Sequence, residues 1–329
     1  MLFFVSLLSV AGCGLMMWCF TRGMRTRKCH PLQTIPFRVA VMRRPGARSF
    51  SRTSCSVAVT LFALAGCAAG GSQSATDSSG GVTGGVTGGD FHSLVADPLT
   101  AGRIYVGGHT NVSRSDDGGK TWMAVVALDD ADAMGWMIGP GTTWVSGHPG
   151  LNLSVDGGIT FTRRNAGLAD TDVHAFGGAG QMLYAAGPGL GVAGSTDEGM
   201  TWTTLTSTSG QSFFGRILVD PVDPAHLVAG DVQFGATASY DGGRTWTPLG
   251  SDATSWVSSP DGLVTLYASG GPTPQRSNDG GNTWAAISVP SGTTLVEASP
   301  TGTLYSGVHD GNAVTVWAST DDGVTWKRP

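Results

Sequence analysis

The chain has 329 residues, 51 of them glycine, with a formal net charge of −5 and only 13% charged residues. Nine of its 19 Lys+Arg precede residue 67 and none of its 24 Asp+Glu do, so the remainder carries 10 basic against 24 acidic residues. A region this acidic has no electrostatic footprint for nucleic acid and is repelled by anionic lipid. All five cysteines lie at or before position 67, which excludes disulfides and thiolate metal sites from everything that follows.

Residues 1–20 are apolar and contain Val10-Ala11-Gly12-Cys13, but no basic residues precede that run. Met42 instead opens a secretory pattern, in which Arg43, Arg44, Arg48 and Arg52 precede a short apolar run at 56–64. That run is too short to span a membrane. We therefore read Met42 as the start and residues 1–41 as upstream of it. The closing Leu64-Ala65-Gly66-Cys67 resembles the lipobox of bacterial lipoproteins, which implies cleavage before Cys67 and lipidation of its thiol. The alternative is an ordinary signal peptide cut near Ala68. Residues 68–89 are rich in Gly and Ser and predict a flexible tether with a reach of about 25–30 Å. A chain of this plan is exported and held at the outer surface of the cytoplasmic membrane by lipid alone.

From residue 90 one pattern recurs. Ser115-Asp116-Asp117-Gly118-Gly119-Lys120-Thr121-Trp122 obeys S-x-D-x-G-x-T-[WF], and five further copies follow. Their aspartates are Asp117, Asp156, Asp197, Asp241, Asp279 and Asp321, spaced by 39, 41, 44, 38 and 42 residues. A period near 40 means one supersecondary unit per repeat, stacked on its neighbours. Within a copy, Asp and Gly suit a tight turn, and the closing Thr-Trp starts a strand whose aromatic packs between sheets. Six copies cannot all be catalytic, so these aspartates are read as turn staples.

Each repeat carries four short runs of β-formers; in the first these are 91–96, 103–107, 111–115 and 121–126. The prediction is an all-β, six-bladed β-propeller over 90–329, with four-stranded antiparallel blades and one such turn per blade. The repeats begin and end in phase, so closure is expected by packing of blade six on blade one, without a strand borrowed from the other terminus.

Residues 90–329 resemble the bacterial exported Asp-box, or BNR-repeat, propellers often labelled glycosylhydrolase-like. Besides the six boxes, the matching stretches are Asp90-Phe91-His92-Ser93-Leu94, Ser146-Gly147-His148-Pro149-Gly150 and Asp172-Val173-His174-Ala175-Phe176. Asp-boxes also occur in sialidases, sortilin-type receptors and propellers that assist photosystem assembly, so the resemblance implies a fold more than an activity. A sialidase needs three carboxylate-binding arginines and a Tyr–Glu pair. Here the glutamates are Glu198, inside a box, and Glu297, while Arg114 and Arg244 adjoin boxes. Sialidase chemistry is therefore not expected. A glycoside hydrolase working with two aspartates across the channel stays open as the alternative.

Strand direction supplies the sharper expectation. If first strands run down from one face, their starts share that face with the ends of second strands, opposite the boxes. His92 and His174 begin first strands, whereas His109, His148 and His309 follow second strands. Neutral imidazoles grouped with a carboxylate are usual ligands for divalent transition metals. His92, His109, His148 and His174 are the candidate metal set; a polar ligand pocket, acid–base work or plain hydrogen-bonded turns are the other readings. Asp231, Glu297, Asp310 and Trp136 are the candidates for ligand contact, with core packing the competing role for Trp136. The expected molecule is a monomeric binding module for a metal, carbohydrate or protein ligand, with no nucleic-acid partner.

Overall fold

The computed structural model describes residues 84–329. The start at Met42, the signal segment 42–67, Cys67 and the tether up to residue 83 lie outside those residues. What is described is all-β, with a single three-residue 3₁₀ turn at Val126–Leu128.

A short strand β1, Gly85–Val86, precedes six consecutive sets of strands. Set one holds β2 Phe91–Ala96, β3 Ile104–Gly108, β4 Val112–Ser115 and β5 Met123–Ala124. Set two holds β6 Trp136–Gly139, β7 Thr142–Gly147, β8 Gly150–Ser154 and β9 Thr162–Arg163. Set three holds β10 Ala175–Ala179, β11 Met182–Gly187, β12 Gly191–Ser195 and β13 Thr203–Thr206. Set four holds β14 Phe213–Val219, β15 Leu227–Asp231, β16 Gly235–Ser239 and β17 Thr247–Pro248. Set five holds β18 Trp256–Ser258, β19 Leu266–Ser269, β20 Gln275–Ser277 and β21 Ala285–Ala286. Set six holds β22 Thr293–Ala298, β23 Leu304–Asp310 and β24 Ala313–Ser319.

Within each set the strands pair antiparallel in sequence order. The first strands β6, β10, β14, β18, β22 and β2 pack in succession, with Trp136 of β6 donating its indole N–H to Ser93 of β2 (2.9 Å). They line the middle of the assembly. β10 and β14 also pair in parallel at Ala175↔Gly215 and Phe176↔Arg216, which fuses sets three and four into one eight-stranded sheet.

The third-to-fourth strand turns explain the repeated motif. In every copy the Ser hydroxyl donates to its Asp Oδ1 at 2.7–2.9 Å. The Thr amide donates to the same oxygen at 2.8–2.9 Å. The Thr hydroxyl donates to Oδ2 at 2.5–2.7 Å. The Ser Oγ in turn accepts from the second Gly-position amide at 2.8–2.9 Å. One carboxylate thus holds both ends of the turn. The closing aromatics Trp122, Phe161, Trp202, Trp246, Trp284 and Trp326 are thereby laid against the apolar clusters between sets. Trp284 and Trp326 also donate their indole N–H to the preceding set, at Leu249 O (3.0 Å) and Ser288 O (2.9 Å).

Closure differs from expectation. Set six has only three strands of its own, and β1 supplies the fourth, pairing antiparallel with β24 at Gly85↔Val314 and Val86↔Ala313. Lys327 bridges the other end of β24 at Ala318. The ring therefore does borrow a strand from the N-terminal side, and residues 85–86, expected within the tether, are strand. Gly85 fits there because a Cβ would lie 2.2 Å from Val106 Cγ2.

In the middle of the ring Glu297 of β22 is fully buried. Its Oε1 accepts from Arg216 Nη1 of set four (2.9 Å) and from Ala96 N of set one (3.2 Å). Its Oε2 accepts from Trp256 Nε1 of set five (3.2 Å). One carboxylate so ties four sets together. Burial pushes its carboxyl above the usual range, against the opposing pull of Arg216. Stripping a buried carboxylate of such a partner costs about 3–5 kcal/mol.

The turn carboxylates titrate in the opposite sense. At Asp321 the Thr325 hydroxyl, then the Thr325 amide and Ser319 hydroxyl, bring the carboxyl down to about 2; Asp117 and Asp241 also lie at about 2. A group depressed in the folded state stabilises above its unfolded value of about 3.9 and loses that contribution as pH falls through the folded one. The part of the thermal stability held by these turns should therefore stay level from neutral pH to about 4 and fall steeply toward 2. An Asp321→Asn variant should melt lower at neutral pH and lose part of that acid dependence.

Candidate metal centre

The starts of first strands and the ends of second strands share one end of the sheets, opposite the aspartate turns. Glycines at second-strand ends let the incoming connections pass close: a Cβ at Gly147 would meet Asp132 O at 2.0 Å, and one at Gly187 would meet Asp172 O at 2.0 Å. Those close passes bring Asp132 and Asp172 up beside the histidines. Asp132 itself sits at φ 50°, the left-handed region that Asp tolerates better than most residues.

Asp132, whose side chain is 5% exposed, is the hub. Its Oδ1 is 2.8 Å from His92 Nδ1 and 3.3 Å from His109 Nδ1, and its Oδ2 is 2.8 Å from His148 Nδ1. His92 reaches it through a bulge, since the β2–β3 register steps between Phe91 and Ser93 and an extra residue re-aims its side chain. The other nitrogen of His148 faces a second carboxylate. His148 Nε2 lies 2.5 Å from Asp172 Oδ1 and 2.9 Å from His174 Nε2, while His174 Nε2 lies 2.8 Å from Asp172 Oδ1. Phe214 of β14 packs edge-on against His92 (5.5 Å between centroids) and His174 (5.7 Å), flooring the group.

Several of these contacts are short without being hydrogen bonds. Both oxygens of Asp132, Asp172 Oδ1 and His92 Nδ1 are buried and meet no partner in hydrogen-bond geometry. Buried polar atoms normally have one. His148 Nε2, His174 Nε2 and Asp172 Oδ1 instead lie close together, all within 4.8 Å of one another. Three atoms 2.5–2.9 Å apart can all lie about 2.1 Å from a cation placed to one side of their plane. Its opposite face would stay open to water or another ligand.

Electrostatics suit this use. Burial drives the His174 pKa down, against the pull of Asp172, which keeps its nitrogen free to coordinate. Asp132 is held below the ordinary carboxylate range: burial works against this, and contact with His92 followed by the charges of His148 and His109 outweighs it.

The structure brings His92, His109, His148 and His174 together, though only the last two share the three-atom focus. The other candidates lie elsewhere. Asp231 caps its own turn, accepting from Ser212 Oγ (2.8 Å), Gln233 N (2.7 Å) and Phe234 N (3.0 Å). Asp310 is exposed at the end of β23. Glu297 is sealed in the ring centre, so it meets no ligand at this mouth. Trp136 is 1% exposed and stacks near Tyr105 at 5.1 Å, so core packing is its role and sugar stacking is not. Sequence reasoning overlooked Asp132 and Asp172. For Asp172 a signal existed in the spacing Asp172-Val173-His174, which in extended chain puts both side chains on one face; nothing of the kind marks Asp132.

No family model matches the chain, and no curated protein matches it. Among solved structures, the xyloglucanase of family GH74 from Xanthomonas campestris superposes with a TM-score of 0.53 at 15% identity, over 74% of this chain and 46% of its own. The GH74 enzyme of Niastella koreensis gives 0.54 at 17% identity, over 75% and 47%. YCF48 from Cyanidioschyzon merolae gives 0.46 at 16% identity, over 75% and 85%. The chain thus spans a little under half the length of the two GH74 structures. At such identities the likeness shows a β-propeller fold alone.

The depressed His174 pKa is directly testable. In a pH titration followed by NMR, His174 should stay neutral to a lower pH than a free imidazole, which titrates near 6.5. The linkage sign is that of a depressed group, so its contribution to stability is present at neutral pH and lost on acidification.

Proposed function

We propose that the chain is a six-bladed Asp-box propeller that binds a divalent transition metal at one mouth of its channel. The observation that carries this reading is the grouping of His148 Nε2, His174 Nε2 and Asp172 Oδ1 within 4.8 Å of one another. Two imidazoles and a carboxylate suit zinc, copper, nickel or ferrous iron better than calcium or magnesium. Asp132 stands behind His148 on the ring's far nitrogen, the position from which an outer carboxylate orients a metal-bound imidazole. His92 and His109 share that carboxylate and complete the wall of the mouth.

The rival reading, a glycoside hydrolase, needs two carboxyl groups free to act on a glycosidic bond. At this mouth Asp132 and Asp172 are both occupied by imidazoles, which favours binding over hydrolysis. The acidic balance after residue 67 supports a partner that is neither nucleic acid nor anionic membrane surface. We further infer an exported lipoprotein, held at the cell envelope through a lipidated Cys67. Changing Cys67 to serine in the native host should move the protein from the membrane fraction to the soluble one; unchanged fractionation would rule the anchor out.

Elemental analysis after exhaustive dialysis should find one metal per wild-type chain. A His148→Ala/His174→Ala variant of unchanged melting temperature should hold essentially none. An Asp132→Asn variant should bind about 10–100-fold more weakly. Metal absent from the wild type, and not taken up from added zinc, nickel or copper, would dispose of this reading.

A further inference from the structure

A second concavity lies at the other end of the first strands. It is a cavity of about 380 Å³ whose walls come from sets one to five. Its sides are apolar or bare, formed by Met137 and Ile138 of β6, Gly177 and Gly178 of β10, Val219 of β14 and Leu263. Its rim is stiffened by proline. Pro98, Pro221 and Pro260 each follow the first strand of their own set and all border the opening. Proline fixes its φ, so three points of the rim are set before any ligand arrives.

The cavity contains one ionic side chain, that of Arg216. Its Nη1 is committed to Glu297, yet the Arg216 side chain is 23% exposed whereas that of Glu297 is 1% exposed. Glu297 is spent on Arg216, Ala96 N and Trp256 Nε1. The cavity therefore sees the free edge of a guanidinium and none of the carboxylate behind it. A guanidinium offers five N–H donors in a rigid fork, a geometry that matches a carboxylate with two parallel bonds. Apolar side chains beside one charged group, with the Ser259 hydroxyl and glycine backbone between them, are a make-up found in small-molecule sites.

We propose that this cavity binds a small apolar monocarboxylate, its chain against Met137, Ile138, Val219 and Leu263 and its carboxylate on the free edge of Arg216. The site is separate from the histidine mouth. On β14, Phe214 faces the histidines and Arg216, two residues further along the same strand, faces the cavity. The two can therefore be tested apart.

The test is calorimetric titration of the purified protein with octanoate, octan-1-ol and octylamine. Octanoate should bind saturably with one site per chain, octan-1-ol at least tenfold more weakly, and octylamine not measurably. A Pro221→Trp variant fills the rim without touching the ion pair; it should lose octanoate binding at an unchanged melting temperature. An Arg216→Met/Glu297→Gln variant removes both charges together, so no buried carboxylate is left unpaired. It should bind octanoate no better than octan-1-ol. Absence of octanoate binding to the wild type would overturn the proposal. So would equal affinity for the alcohol, or binding that survives Pro221→Trp.

Discussion

The aspartate turn is the constraint from which the rest of this molecule follows. Each carboxylate accepts from a serine hydroxyl, a threonine hydroxyl and a threonine amide, so the turn is cross-linked by its own side chain rather than by a long backbone ladder. That matters because the fourth strands are very short, two residues in sets one, two, four and five. Strands of that length have little ladder of their own. Fixing the turn fixes where the next residue points, and that residue is the tryptophan or phenylalanine packed between sets. The local chemistry of eight residues thereby sets the spacing of the whole ring, and a large aromatic at each seam supplies much of the apolar burial there.

The same geometry divides the ring into two ends with different chemistry. Because the aspartate turns claim one end of the third and fourth strands, the opposite end receives the starts of first strands and the ends of second strands. Glycine at the second-strand ends allows close passage of the incoming chain, and two aspartates ride in with it. Between the ends, Glu297 and Arg216 occupy the middle layer. Phe214 lies on the histidine side of that layer, and the proline-rimmed cavity lies on the other. The imidazole–carboxylate mouth and the proline-rimmed cavity thus each have their own surroundings.

Much of this was legible in the sequence, for reasons that differ by residue. The six turns were readable because the motif carries its own hydrogen bonds, and strand alternation then placed four histidines at one end. Asp132 and Asp172 were harder to see because they sit in connections, where no periodicity constrains a side chain. Glu297 looked like a mouth ligand because it is one of only two glutamates after the tether, but its place in β22 turns it to the ring centre. Strand β1 was invisible for the opposite reason. It lies in a glycine-rich stretch, 84–89, where Val86 and Thr87 are the only β-formers, and its role depends on the lack of a side chain at Gly85 where Val106 and Trp122 press close. A vacant edge on β24 recruits it, and no local preference announces that.

β1 is held on β24 by two residue pairs, helped by Thr87 N on Asn312 O (2.9 Å) and by Val86 N and O on Ser113 Oγ, each at 2.9 Å. Set six has its aspartate turn too, but that turn leads only to the bridge of Lys327 with Ala318, and the strand on the rest of the β24 edge is β1, joined there by hydrogen bonds alone. Tension on the segment before residue 84 would bear on those few bonds before reaching any aspartate turn. Peeling β1 away would bare the outer edge of β24 over Ala313 and Val314, and an unpaired strand edge invites another chain to dock. The point where the chain enters the ring is thus also where one sheet edge is covered by only two residue pairs, and β1 is what keeps that edge from another chain.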